Sequence, residues 1–304
     1  MKQILVGTGG WAYFPSQGTS RLKSYSKAFN FTEANSTFYE YPNPERVERW
    51  RRTVPDNFVF SVRCHQDLTH RIGIKSSDEA YAVLKRMLKY CEVLRAPFLV
   101  LETPASYHFT EEKVNEAADF LSSIDFRGVR LVWENRSLAT TKYREMLEKL
   151  GIVHSVDISR EMPLFETDVL YSRLFGKGIH NMYQFSDEEL EEIAHKVLMS
   201  KAKTVSLSYH GVRMNSDAMR YVHYSKTGVF PALTRFVGVE SAKSVLSEDA
   251  KFPISKNDLI STQGWKVFDA TPDKRIHLSD WLQSVPDKIY TSLDDIATAL
   301  EKQI

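Results

Sequence analysis

Eight short apolar runs, rich in β-branched and aromatic residues and separated by amphipathic stretches, constrain this chain more than any other feature. They are Ile4-Leu5-Val6, Phe31 to Ala34, Phe58 to Val62, Phe98 to Leu101, Val129 to Trp133, Ile152 to Val156, Val169 to Leu174 and Val205 to Tyr209. Continuous apolar runs of this length suit strands buried on both faces, as in a parallel sheet. Between them lie helix-period segments. Val47, Trp50 and Val54 fall at i, i+3 and i+7, and Val83, Leu84, Met87, Leu88 and Cys91 repeat the pattern within Ala80 to Leu94. Ser186-Asp187-Glu188-Glu189 before Leu190 has the form of a capping box, in which the serine hydroxyl and the third-position glutamate satisfy each other's exposed amides. Eight runs, each followed by a helical or helix-permissive stretch, are the arithmetic of an α/β fold of the (β/α)8 TIM-barrel type. A doubly wound open sheet is the competitor. It needs a glycine-rich turn leading straight into a helix, whereas Gly7-Thr8-Gly9-Gly10 runs into Trp11 and Pro15.

The pattern changes after Gly228, where Pro231, Pro253, Pro272 and Pro286 punctuate short helical pieces and no further βα unit appears. The expectation is a barrel over residues 1–228 and a small helical module over 229–304. Nine Lys/Arg against eleven Asp/Glu give the tail a net charge of −2, and 31 against 28 give the remainder +3. The whole chain, at +1, is no basic nucleic-acid coat protein, although a local basic cleft stays open. Two cysteines, Cys64 and Cys91, build neither a disulfide framework nor a four-cysteine zinc site and fit a reducing compartment. The opening Met1 to Val6 breaks at Gly7, too early for a signal-peptide core, and no window approaches the ~18 apolar residues of a membrane span. These features describe a cytoplasmic monomer without membrane contact.

In a barrel the strand C-termini and the loops after them build the active face, which converts the strand list into a site list. Strand ends present Thr8 to Trp11, Asn35-Ser36-Thr37-Phe38-Tyr39, Arg63-Cys64-His65 with His70 beyond, Glu102, Glu134-Asn135-Arg136, Asp157, Arg173 and His210. Three carboxylates, three arginines and two or three histidines suit an anionic ligand flanked by acid/base or metal-binding groups. The nine histidines show no tight metal spacing, and there is no Gly-x-Ser-x-Gly elbow, P-loop or His-Glu-x-x-His.

With those strand ends in view, residues 3 to 225 resemble the YecE-like proteins, domain of unknown function 72. The resemblance rests on Gly7-Thr8-Gly9-Gly10-Trp11, on Glu33-Ala34-Asn35-Ser36-Thr37-Phe38-Tyr39, on Phe58 to Arg63 followed by Thr69-His70, on Glu134-Asn135-Arg136-Ser137 and on Tyr171-Ser172-Arg173-Leu174-Phe175-Gly176. Three positions depart from the family pattern: Arg63 stands for a lysine, Phe175 for a histidine, and Glu102-Thr103-Pro104 for Gln-Leu-Pro. The resemblance implies a TIM barrel similar to sugar-isomerase and type-IV apurinic endonuclease barrels, and a suggested nucleic-acid role. The tail, through Phe252-Pro253 to Ile260 and Leu282 to Ile296, is similar to the small helical domain of unknown function 2795.

The reading that follows is a protein that binds and hydrolyses a phosphate-containing ligand, an anionic small molecule or nucleic acid. Arg63, Arg136 and Arg173 are expected to hold phosphate, with Asn35, Ser36, His70, Asn135 and His210 beside them. Trp11, Phe38 and Tyr39 offer flat faces to a base or sugar. Glu134 with Glu102 or Asp157 is expected to act as general base or hold a divalent metal. Two rivals stand beside it: a carbohydrate-active barrel with Glu102 and Glu134 as paired carboxylates, and a non-catalytic binding module.

Overall fold

The computed structural model describes residues 2–18, 20–179 and 181–302. The chain forms two compact units, Met1–Leu174 with Ser200–Tyr209, and Phe175–Met199 with His210–Ile304.

Eight parallel strands make up the sheet of the first unit: β1 (Gln3–Thr8), β2 (Phe31–Ala34), β3 (Val59–Arg63), β4 (Phe98–Thr103), β5 (Arg130–Asn135), β6 (Val153–Ser155), β7 (Val169–Leu174) and β8 (Thr204–Tyr209). Their spatial order is β6-β5-β4-β3-β2-β1-β8-β7. A parallel bridge between Val156 and Ser172 joins the two ends, so the sheet is a nearly closed barrel. The expected TIM barrel is the observed fold. Helices α1 (Arg21–Ala28), α2 (Pro44–Thr53), α3 (Asp78–Leu94), α4 (Glu111–Ser122) and α5 (Thr141–Leu150) follow the first five strands. Their starts are set locally. Asn43, Ser77, Thr110 and Thr140 each cap a helix by accepting a backbone N–H from the first turn.

Period-two alternation sorts the strand residues. Leu5, Phe31, Phe98, Val100, Val132, Val153 and Tyr171 pack as one buried cluster drawn from different strands. Two residues further along four of these strands stand Glu33, Glu102, Glu134 and Arg173. The inward face therefore changes from apolar to charged in a single step. At one seam the barrel wall is closed by a side chain. Tyr25, on α1, accepts the Thr8 N–H through Oη at 2.7 Å and donates to the Phe31 carbonyl at 3.0 Å. A Cβ on Gly7 would stand 1.9 Å from that carbonyl, so only glycine fits beside it.

The structure corrects one expected βα repeat. No helix follows β6, because the chain turns at once: Asp157 Oδ1 accepts the Ser159 N–H at 2.9 Å and its hydroxyl at 2.6 Å, and Pro163 lies in the stretch leading to β7.

The second unit holds α6 (Asp187–Met199) and α7 (Met214–Thr227), the helices that follow β7 and β8 in the chain, with α8 (Val239–Leu246), α9 (Lys256–Gln263), α10 (Leu278–Leu282) and α11 (Leu293–Glu301). The tail is not purely helical as expected. Among the described residues it carries two antiparallel pairs, β10 (Val267–Thr271) with β11 (Lys274–His277), and β9 (Ile254–Ser255) with β12 (Ile289–Tyr290). Pro272-Asp273 between two short β-prone segments is a turn signal of the kind that joins a hairpin. None of these strands joins the eight-stranded sheet. The predicted capping box is present on α6: the Ser186 N–H donates to Glu189 at 3.0 Å and the Glu189 N–H to Ser186 Oγ at 3.3 Å. Hairpin and α6 are bound together, as the Arg275 N–H donates to Asp187 Oδ2 at 3.0 Å and the Val267 N–H to Gln184 Oε1 at 3.0 Å.

Candidate functional site

The inward charged side chains form one network across the barrel. Arg173, at the end of β7, lies at its centre with 1% of its side chain exposed. Its Nη1 donates to Glu102 Oε2 at 2.6 Å and also to Glu134 Oε2, while Nη2 donates to Glu33 Oε1 at 3.1 Å. Tyr171 Oη donates to Glu33 Oε2 at 3.0 Å, with Ser61 Oγ 2.7 Å from the same hydroxyl. Arg63 Nη2 donates to Glu102 Oε2 and Nη1 to Asn35 Oδ1, each at 2.5 Å. The Arg63 guanidinium lies over the Phe38 ring at 3.7 Å. Arg136 spans two carboxylates, Nε to Glu134 Oε1 at 3.0 Å and Nη1 to Glu102 Oε1 at 3.2 Å.

Four residues far apart in sequence thus meet at one end of the barrel, as their strand ends predict: Asn35, Arg63, Glu134 and Arg173. The charges fix one another. Burial pushes the Glu102 carboxyl up, but Arg173, Arg63 and Arg136 outweigh it and hold the group below the usual carboxylate range. Burial lowers Arg173, yet Glu134, Glu33 and Glu102 together push it well above its ordinary value. Burial, and then Arg173, lower Arg63. Glu33, Tyr171 and Ser61 escape a reading that looks only at strand ends. Counting back two positions from Asn35, Arg63 and Arg173 finds all three.

The rim of this network is more open. Asn35 and Ser36 are half-buried in the 3₁₀ turn Asn35–Phe38. Tyr39 is 63% exposed. The exposed His70 meets Phe38 edge-on at 5.1 Å. Burial, Arg63 and Arg136 hold the His70 imidazole below its ordinary value against the pull of Glu102. Asn135 Oδ1 accepts from the Ser137 N–H and hydroxyl, and the buried Nδ2 has no hydrogen-bond partner among the described residues. On the outer side, His154 is buried and accepts the Leu164 N–H at 3.1 Å; desolvation lowers it to about 4, against the attraction of Glu134.

Several expected roles are corrected by this geometry. Arg173 has no face for a phosphate, since both terminal nitrogens serve glutamates and the side chain is buried. Trp11 packs edge-on against Trp50 of α2 and against Phe60, whose neighbours Ser61 and Arg63 point inward, so its ring belongs to the outer layer. Asp157 is a turn-forming residue. His210 stacks on Phe175 at 4.8 Å. Cys64 needs no correction: it is a small buried side chain, and burial pushes its thiol up to about 12. The site does not fit a divalent metal. All six carboxylate oxygens of Glu33, Glu102 and Glu134 already face a guanidinium or the Tyr171 hydroxyl. Among the described residues no three His, Cys, Asp or Glu side chains group as a metal site. In the paired-carboxylate rival, Glu102 and Glu134 are register partners on β4 and β5, and the arginines hold Glu102 ionised, so the acid role would fall to Glu134, which Arg136 and Arg173 both contact.

Residues 5–227 match the sequence profile described as a protein of unknown function, DUF72. The chain belongs to the DUF72 family. It is 28% identical over 123 residues to the UPF0759 protein YecE of Escherichia coli K12, covering 37% of this chain and 45% of that protein. It is 24% identical over 175 residues to UPF0759 protein YunF of Bacillus subtilis 168, covering 50% and 60%. The chain therefore spans about half the length of these relatives. Crystal structures of DUF72 proteins share its fold. One from Enterococcus faecalis V583 has a TM-score of 0.60 at 17% identity, covering 74% of this chain and 97% of the other. One from Thermotoga maritima MSB8 has a TM-score of 0.57 at 19% identity, covering 74% and 99%. No helix among the described residues of this DUF72 protein is long and apolar enough to cross a membrane.

Proposed function

We propose that the barrel mouth binds a phosphate-bearing ligand, a small phosphate ester or a nucleic-acid phosphate, and hydrolyses it with Glu134 as general base. One observation carries this reading. Of the six charged side chains in the network, Arg136 is 42% exposed, while Glu134 is 11% exposed and Glu33, Arg63, Glu102 and Arg173 less. Three glutamates balance three arginines in number, but the charge that reaches solvent is a guanidinium. A half-exposed guanidinium with a planar fork of donors suits phosphate contact. Tyr39 gives an exposed ring for a base or sugar, and Asn35 and His70 give polar contacts at the same edge. Glu134, the most exposed of the three carboxylates, stands beside Arg136 and would take the proton of an attacking water.

Calorimetric titration of inorganic pyrophosphate and of a short 5′-phosphorylated oligonucleotide into the full chain tests this. Both should bind, and Arg136→Ala should weaken both at least tenfold. Equal affinity of the parent and Arg136→Ala would refute the anion site. Turnover, where found, should vanish in Glu134→Gln.

A further inference from the structure

We propose that Arg136 is a displaceable counterion: an incoming phosphate takes its guanidinium from Glu134 and Glu102, and so uncovers Glu134 only when ligand is present. This rests on the anion-binding reading above and deepens it. The argument begins with the two ends of Arg136. Its backbone is fixed where β5 ends, the N–H donating to the Thr103 carbonyl at 3.3 Å. Its side chain is 42% exposed and attached through Nε to Glu134 Oε1 and through Nη1 to Glu102 Oε1. Arg63 and Arg173, in contrast, are buried among their partners. Leaving its carboxylates would cost Arg173 a fully buried ion pair, whereas the Arg136 guanidinium, 42% exposed beside buried Glu102 and Glu134, regains water as it leaves and exchanges at lower cost.

Exchange leaves each carboxylate with a partner. Glu134 keeps Arg173 at Oε2 and Glu102 keeps Arg63 and Arg173 at Oε2, so neither is left as an unpaired buried charge. What changes is one oxygen of each. Glu134 Oε1 loses its donor and becomes an acceptor for water beside the bound phosphate. The other groups near Glu134 do not replace Arg136: His154 is held neutral by burial, and the Tyr143 hydroxyl is buried without a hydrogen-bond partner among the described residues. The site is therefore self-occluded by its own cation and opens by ion-pair exchange.

If Glu134 competes with the ligand for Arg136, removing its charge should strengthen phosphate binding. Calorimetry with pyrophosphate on the parent, Glu134→Gln, Arg136→Ala and the double variant reads this directly. Glu134→Gln should bind about two- to five-fold tighter than the parent, the range that a half-exposed ion pair is worth. The double variant should bind as weakly as Arg136→Ala. A Glu134→Gln variant that binds equally or more weakly overturns the exchange while leaving the anion site standing. A parent that does not bind pyrophosphate overturns both. Because Glu134→Gln also touches Arg173, a measurement on the parent accompanies it. The Arg136 Nε–Hε resonance, assigned through Arg136→Lys, should move on adding pyrophosphate, and a fixed resonance in a binding protein refutes the exchange.

Discussion

Each compact unit contains a buried arginine–carboxylate network, and the two are anchored differently. In the barrel, Arg63 and Arg173 meet Glu33, Glu102 and Glu134, and the bonds among them run from side chain to side chain. In the second unit, Arg220 meets Asp187 at 2.6 Å and Asp217 at 3.3 Å, and Arg275 meets Asp269 at 3.1 Å. There the charges also bind the backbone. Arg220 donates to the Phe185 carbonyl and Arg275 to that of Pro272, Asp269 accepts the N–H groups of Leu233 and Thr234, and Asp187 accepts that of Arg275. Backbone-anchored charges hold loops and hairpins in place. Buried charges paired side chain to side chain carry a desolvation penalty that a hydrophobic core would avoid. Under the proposed function the barrel-mouth cluster serves a ligand, whereas the second network latches the β10–β11 hairpin to α6.

The largest expected effect breaks the barrel network at its centre. Arg173→Ala leaves three buried glutamates without their shared cation and should cost about 3–5 kcal/mol in urea unfolding. A loss under 1 kcal/mol would mean that the glutamates take up protons or water freely. The corresponding cut in the latch, Asp187→Ala, should cost about 3 kcal/mol. It should raise hydrogen exchange in α6 and the β10–β11 hairpin while the barrel strands stay protected; exchange rising equally in both units would show that the two do not open separately.

Two buried groups, one in each unit, should respond oppositely to pH. His154 titrates near 6.5 when unfolded and at about 4 when folded, so its stabilisation is complete above pH 6.5 and lost as pH falls toward 4, about 3 kcal/mol in all. Asp217 is the reverse. Burial raises its carboxyl to about 7, against Arg220 and the Phe185 N–H, so stability falls as pH rises from about 4 to 7. His154→Phe and Asp217→Asn should each flatten its own slope, measured by chemical unfolding across that range. The smallest effect sharpens the contrast: Arg136→Ala should change stability by less than ~1 kcal/mol, as a half-exposed pair does, while removing pyrophosphate binding.

The barrel was legible in the sequence because eight apolar runs at regular spacing admit few arrangements, and strand ends such as Asn35, Arg63, Glu134 and Arg173 then fall at one mouth. Two things were not. The runs read as apolar on both faces, which hid Glu33 and Tyr171 inside them; only the inward face of a strand shows that a charge follows a core residue by two positions. Exposure was also invisible. Arg136 and Arg173 have the same chemistry in a one-dimensional reading, and only the closed barrel separates the guanidinium that is locked from the one that reaches water. In the tail, the prolines drew attention from Val267 to Asp269 and Arg275 to His277, whose pairing depends on a turn at Pro272-Asp273.

The phenol of Tyr25 has a mechanical consequence. β1 and β8 share six register pairs, whereas β1 and β2 share two. At the β1–β2 joint one oxygen atom acts as a clasp, holding the Thr8 N–H on one side and the Phe31 carbonyl on the other. The joint between β1 and β2 is thus continuous through a helix side chain, and its opening is set by a single hydroxyl. Motion at the floor of the mouth is then governed from α1, on the outside of the wall.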